Sequence, residues 1–274
     1  MTQIVFFDID GTLASKGNYI PASTVEAIKQ LKEKDIHLVL ATGRPPLLIA
    51  EIAQKLDINS YISMNGQYIL YEGEVLEANP LLIESVDQLV HFANEREDGL
   101  VLCTENELII NSRLSINPQS WYLKFLKKVA HFIPNRLQLA IRSAAMKQKI
   151  KKADYVDKDI YMVNLKVNRK DELQYVQHFE EFHFTRANEQ TMDVINHGVS
   201  KARAVEKILK HLKIGAEDAV AFGDGLNDLE MIEFVGTGIA MQNGFDELKE
   251  AADIVTDSVT NDGILKGLQK IKLL

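Results

Sequence analysis

The stretch Ile4-Val5-Phe6-Phe7-Asp8-Ile9-Asp10-Gly11-Thr12 decides the fold of this 274-residue chain. Four consecutive apolar residues with no polar alternate suit a strand buried on both faces, as in a parallel sheet. The run stops at a carboxylate, and a second carboxylate follows two residues later. Two other runs repeat the pattern. His37-Leu38-Val39-Leu40-Ala41 stops at Thr42, and Ala219-Val220-Ala221-Phe222 stops at Gly223-Asp224. Helical periodicity lies beside them. Ser23 to Lys34 carries Val25, Ile28 and Leu31, with Ser23-Thr24-Val25-Glu26 reading as a capping box, and Ser200 to Leu212 carries Val205, Ile208, Leu209 and Leu212. Strands alternating with helices predict an α/β protein, a doubly wound Rossmann-like core on a parallel sheet. In such a sheet ligands bind outside the carboxyl ends of the strands, so the polar residues closing these runs are expected to meet in one crevice.

The spacings divide the chain. Asp8 to Thr42 is 34 residues and Lys201 to Asp224 is 23, each about one βαβ step, whereas Thr42 to Lys201 is 159. Part of that stretch reads as core: a helix over Leu47 to Leu56, a strand at Tyr61-Ile62-Ser63 and a hairpin from Gln67 to Leu76 turning at Glu72-Gly73. The rest has its own elements: helices near Ile83 to Asn94 and Asp171 to Phe179, and strands at Leu100 to Thr104, Glu107 to Asn111 and Ile160 to Val167. The expected organisation is therefore a core over residues 1–80 and 187–274 with an inserted α+β cap over 81–186, hinged at Ala78-Asn79-Pro80 and Arg186-Ala187-Asn188. The stripe Trp121, Phe125 and Leu126 reads as cap core.

The composition, 46% hydrophobic and 26% charged, is that of an ordinary globular protein. Net charge −8 argues against nucleic acid as a partner, because backbone affinity needs clustered Lys and Arg. No apolar run approaches a membrane span, and Met1-Thr2-Gln3 leads into a strand without a signal-like basic region, so a cytoplasmic location with no membrane partner is expected. The single cysteine, Cys103, lies in a strand-like run and reads as a small buried residue. His178 and His183 flank Glu180 and Glu181, but their spacing matches no familiar metal motif. Oligomeric state is not encoded in any recognisable pattern.

The chemistry lies at the strand ends. Asp8 and Asp10, two residues apart, suit nucleophilic, acid/base or metal-binding work; the bland alternative is an Asp-Gly turn. Thr42-Gly43-Arg44 offers a hydroxyl and backbone N–H groups to a phosphate oxygen. Lys201, at a helix start, is disfavoured by the helix dipole unless an anion sits there. In Gly223-Asp224-Gly225-Leu226-Asn227-Asp228, Asp224 is placed to complete an oxygen site with Asp8 and the Asp10 carbonyl, a donor set suited to Mg²⁺, while Asp228 is expected in a supporting role.

In this order, these four motifs resemble the haloacid dehalogenase-like hydrolase superfamily, in particular its Cof-type sugar-phosphatase branch with a C2-type cap. Ser63-Met64-Asn65-Gly66 and Gly238-Ile239-Ala240-Met241-Gln242-Asn243 are similar to that branch too, although Gln242 and Gly244 stand where it has Gly and Ala. The resemblance implies a Mg²⁺-dependent phosphatase acting on a small phosphorylated metabolite. Asp8 attacks phosphorus to give an aspartyl-phosphate, and Asp10 protonates the leaving oxygen and then activates water. Thr42, Gly43, Lys201 and Asn227 hold the phosphate, and Asp8, Asp10 and Asp224 hold the metal. The second Asp of the first motif and the Asp224 motif favour the phosphoryl branch over the metal-independent dehalogenases. Two other readings stay open: a sugar phosphomutase and a non-catalytic phospho-acceptor module. The cap would set specificity, with Arg113, Arg142 and Lys166 as the cationic candidates.

Overall fold

A computed structural model describes residues 2–15, 17–111, 149–188 and 191–274. Arg113, Trp121, Phe125, Leu126 and Arg142 lie outside the described residues. In chain order the strands are β1 (Ile4–Phe7), β2 (His37–Ala41), β3 (Tyr61–Ser63), β4 (Tyr68–Tyr71), β5 (Glu74–Ala78), β6 (Gly99–Cys103), β7 (Leu108–Ile110), β8 (Met162–Lys166), β9 (Phe182–Asn188), β10 (Thr191–Asn196), β11 (Ala219–Gly223), β12 (Thr237–Met241) and β13 (Ile254–Thr256). The chain divides into two compact units: Met1–Arg44, Leu48–Glu77 and Val199–Leu274 form one, and Pro45–Leu47 with Ala78–Gly198 form the other.

The first unit is built on a sheet ordered β13-β12-β11-β1-β2-β3-β4-β5, parallel from β13 to β3 and turning antiparallel at β4. All four residues of β1 are buried, as a central strand covered on both faces requires. Its side chains part by the period of two. Val5 and Phe7 pack with Leu38, Leu40, Val220 and Phe222 against the helices Ala22–Glu33, Pro46–Leu56 and Gly263–Lys270. Ile4 and Phe6 pack with Val39 and Ala221 against Lys201–Leu212 and Leu229–Phe234. That is the doubly wound arrangement. Because β1 has β2 on one side and β11 on the other, Asp8, Thr42 and Asp224 emerge from three adjacent strand ends.

The second unit holds an antiparallel sheet, β7-β6-β8-β10-β9, packed on one face by the helices Ile83–Glu95 and Glu172–His178. The expected hinge at Arg186–Asn188 falls inside β9. The hairpin partner β10 stays in the same sheet, and the contact boundary comes later, between Gly198 and Val199. Cys103 is buried in β6. The expected capping box at Ser23 does not form: Pro21 caps that helix without a side-chain bond, and Ser23 Oγ donates instead to Asp262 Oδ1, far away in sequence. Among the described residues, no helix is long and apolar enough to cross a membrane.

Candidate active site

The strand-end residues Asp8, Thr42 and Asp224 belong to the first unit and lie at the carboxyl edge of its sheet. Asp8 N–H donates to Phe222 O at 2.9 Å, which extends the β1/β11 ladder and holds the Asp8 carboxylate in the crevice, almost fully buried. The chain then turns sharply at Gly11, with φ +90°; a Cβ there would lie 2.0 Å from Asp224 Oδ2. The Asp-Gly turn is therefore a close approach of loop to carboxylate that glycine alone allows. Thr12 Oγ1, one residue on, donates to Asp224 Oδ1 at 3.0 Å.

Lys201 is the centre of the cluster. It opens the helix Lys201–Leu212, which Ser200 caps by accepting from Arg203 N–H. Its side chain is 0% exposed, and Nζ donates at 2.6 Å both to Asp8 Oδ1 and to Asp228 Oδ1. The dipole conflict of a lysine at a helix start is thus resolved by two carboxylates. Asp228 is engaged at both oxygens: while Oδ1 takes Lys201, Oδ2 accepts the backbone N–H groups of Asp224, at 3.1 Å, and Gly225, at 2.9 Å. It shapes the Asp224 loop.

Asp8, Asp224 and Asp228 bring carboxylate oxygens within 4.8 Å of one another. When ionised, the three carboxylates exceed the Lys201 ammonium by two negative charges in a buried place, which a divalent cation would neutralise. Burial, and then Asp228, push the Asp224 carboxyl up to about 7. Burial also raises Asp8 well above the carboxylate range; Lys201 opposes this, and Asp228, Asp224 and Asp10 reinforce it. Burial alone would lower Lys201, but Asp228 and Asp8 outweigh it and raise its pKa. All-oxygen, surplus-negative and partly open, the donor set fits a hard divalent cation.

A pH dependence follows for the metal-free protein. A carboxyl whose folded pKa lies above its unfolded value of 3.8 stabilises below the unfolded pKa, and that stability is lost as pH rises through the folded value, for Asp224 about 7. The chelated protein should therefore melt higher near pH 6 than near pH 8, and saturating divalent cation should narrow the difference. Thermal melts with and without chelator at the two pH values measure this; a chelated protein more stable at pH 8 would contradict it.

The residues expected to hold phosphate converge around a strained turn. Thr42 N–H donates to Ile62 O at 2.9 Å, and its carbonyl accepts from Asn65 N–H at 3.1 Å. Met64 and Asn65 both take left-handed backbone, φ +50° and +56°, and Gly66 follows at +106°. A Cβ on Gly66 would meet Ser200 O at 2.5 Å, so this turn packs directly on the residue before Lys201. Asn65 Oδ1 sits beside Gly43 and accepts from Asn227 Nδ2 at 2.9 Å. Backbone strain of this kind persists only where surrounding structure enforces it. Here it ties Thr42-Gly43, Asn227 and the start of the Lys201 helix into one wall.

Asp10 stands apart from the acidic trio. Its side chain is half-exposed, and both carboxylate oxygens accept from Arg44. Asn243 Nδ2 donates to Gly11 O at 2.9 Å. The site thus gathers Asp8, Thr42, Gly43, Lys201, Asp224, Asn227 and Asp228. Sequence reasoning assigned no individual role to Thr12, Arg44, Asn65 and Asn243, although each belongs to a motif already singled out; that membership was the available signal.

A doubly wound sheet whose central strand ends in a buried aspartate, beside a lysine and an acidic cluster, is the arrangement of an α/β hydrolase. The chain belongs to the haloacid dehalogenase-like hydrolases, whose family profile matches residues 5–268, and it is a phosphatase. It is 34% identical over 273 residues to the putative phosphatase YkrA of Bacillus subtilis (strain 168), covering 100% of this chain and 99% of that protein. It is 25% identical over 269 residues to the 5-amino-6-(5-phospho-D-ribitylamino)uracil phosphatase YcsE of the same strain, covering 97% of this chain and 94% of that one. A crystal structure of a Geobacillus kaustophilus HTA426 protein superposes with TM-score 0.80 at 35% identity, covering all of both chains.

Proposed function

We propose that the chain is a Mg²⁺-dependent phosphatase that releases phosphate from a small phosphorylated metabolite, a sugar phosphate, nucleotide or phosphorylated cofactor, through an aspartyl-phosphate on Asp8. The observation that carries this reading is the Asp8 carboxyl group: buried, held by Lys201 at 2.6 Å and clustered with Asp224 and Asp228. Asp8, the Asp10 carbonyl and Asp224 would hold the Mg²⁺, which neutralises charge on the phosphoryl group and on Asp8.

The chain's own residues do the rest. An Asp8 carboxylate oxygen attacks phosphorus as the bond to the leaving oxygen breaks, and the Asp10 carboxyl gives that oxygen its proton. Water then attacks the phosphorus of the aspartyl-phosphate, passes a proton to Asp10 and displaces the Asp8 oxygen, which restores both carboxyl groups and releases phosphate. The Thr42 hydroxyl, the Gly43 N–H, Lys201 and Asn227 bind the phosphoryl oxygens, with Asn65 orienting Asn227 through their 2.9 Å bond. Two of the three Lys201 donors already fall on carboxylates, so this residue sets the charge and position of Asp8 as well as contacting phosphate. Asp228 orients Lys201 and the Asp224 loop. The inserted α+β unit would set specificity; acceptance of a small phosphorylated metabolite matches what the name of YcsE says of that relative.

The test is release of inorganic phosphate from p-nitrophenyl phosphate and from a panel of phosphorylated metabolites. Chelation should abolish release and added Mg²⁺ should restore it. Full activity in chelated protein would overturn the metal-dependent mechanism. Transfer of phosphate to a sugar hydroxyl without free phosphate would make the protein a mutase, and a stable phosphoprotein without turnover would make it an acceptor module.

A further inference from the structure

We infer that Arg44 is a positioning residue for the reaction: it grips both oxygens of the Asp10 carboxylate, and in the acid form it holds one oxygen while the other carries the proton to the leaving group. The inference rests on the phosphatase reading above and assigns a task to a residue that reading leaves unused. Arg44 is 3% exposed, although the Asp10 side chain it holds is 50% exposed. Nε donates to Asp10 Oδ2 at 2.7 Å and Nη2 to Asp10 Oδ1 at 2.6 Å, a two-pronged pair that fixes the plane of the carboxylate as well as its location.

The guanidinium is itself held. Nη1 donates to Leu48 O at 3.2 Å, and Nη2 also reaches Asn18 Oδ1 at 3.0 Å. The backbone is pinned too: Arg44 N–H donates to Thr42 Oγ1, and its carbonyl accepts from Ser63 Oγ and Met64 N–H. A half-exposed aspartate would otherwise sample several rotamers. A general acid works only within hydrogen-bond reach of the oxygen it protonates, and a misplacement of about 1 Å costs about 10²-fold. The rigid anchor beneath Asp10 supplies that placement. It also ties the placement to the Thr42 loop, which the proposed function puts on the phosphate.

Leaving-group dependence separates positioning of the acid from plain bracing of the loop. p-Nitrophenolate leaves without a proton, while phenolate needs one far more, and the two esters are alike in shape. In Arg44→Met and Arg44→Lys, kcat/KM should fall about 10- to 10²-fold on phenyl phosphate and less than about threefold on p-nitrophenyl phosphate. Arg44→Lys keeps the buried positive charge, so it carries the comparison if Arg44→Met does not fold. In an Asp10→Asn background the same substitutions should add less than about twofold on either ester. Equal losses on the two esters, or losses that multiply with that of Asp10→Asn, would show Arg44 to be a structural brace only. If the wild-type enzyme releases no phosphate from either ester or from the metabolite panel, the phosphatase reading itself fails, and that outcome is distinct from a leaving-group-independent defect.

Discussion

Asp8→Asn protein should release no phosphate from any ester above the background of a blank preparation, and in chelated buffer near pH 8 it should melt at or above the wild-type temperature. The two halves have one cause. Asn keeps the acceptor that Lys201 Nζ meets at 2.6 Å, so the buried geometry survives. It lacks the carboxylate that attacks phosphorus, and losing a covalent nucleophile costs up to about 10⁶ in turnover. In metal-free protein, Asp8 is a carboxylate raised by burial and by Asp228, Asp224 and Asp10, so its ionised form destabilises the fold, and neutralising it removes that repulsion. Phosphate release, melting temperature and formation of a beryllium fluoride adduct are the measurements. The adduct should form in wild type and fail in the variant. Residual activity above about a thousandth of wild type, or a phosphoryl group found by mass spectrometry on another residue, would assign the nucleophile elsewhere.

Lys201→Met should have the largest effect on stability. Among the described residues, the ammonium is the one cation in hydrogen-bond contact with Asp8 and Asp228, both buried, and Met leaves those carboxylates facing each other and Asp224. Breaking a buried pair from one side costs about 3–5 kcal/mol. For a chain of this length, at about 2–4 °C per kcal/mol, the fall in melting temperature is roughly 6–20 °C. The deficit should shrink as pH falls from about 8 toward 5.5, because protonated carboxyls no longer need a counter-charge. The double substitution with Asp8→Asn should recover part of it, since the two sites share one interaction. A Lys201→Met protein melting within about 2 °C of wild type in chelated buffer at pH 8 would mean that the ammonium does not hold the cluster together.

The sequence by itself determined the sheet, the order of its motifs and most of the crevice. An apolar run such as Ile4–Phe7 has few alternatives to a strand covered on both faces, and a polar residue that ends such a run must lie at the strand's end. That local logic suffices to bring Asp8, Thr42 and Asp224 to adjacent strand ends. Only the tertiary structure decided the partners. Arg44 with Asp10, Asn65 with Asn227, and Thr12 with Asp224 join positions 34, 162 and 212 residues apart. Ser23, which local propensity assigned to a helix cap, bonds instead to Asp262, 239 residues away. The end of the inserted unit moved past Arg186 because β10 found its place in the antiparallel sheet beside β8 and β9. Periodicity reports which face of an element is covered, and a strand end reports where a side chain emerges. Neither reports which distant polar group stands opposite, because hydrogen bonds and ion pairs are settled by distances of a few ångströms that exist only once the layers have packed.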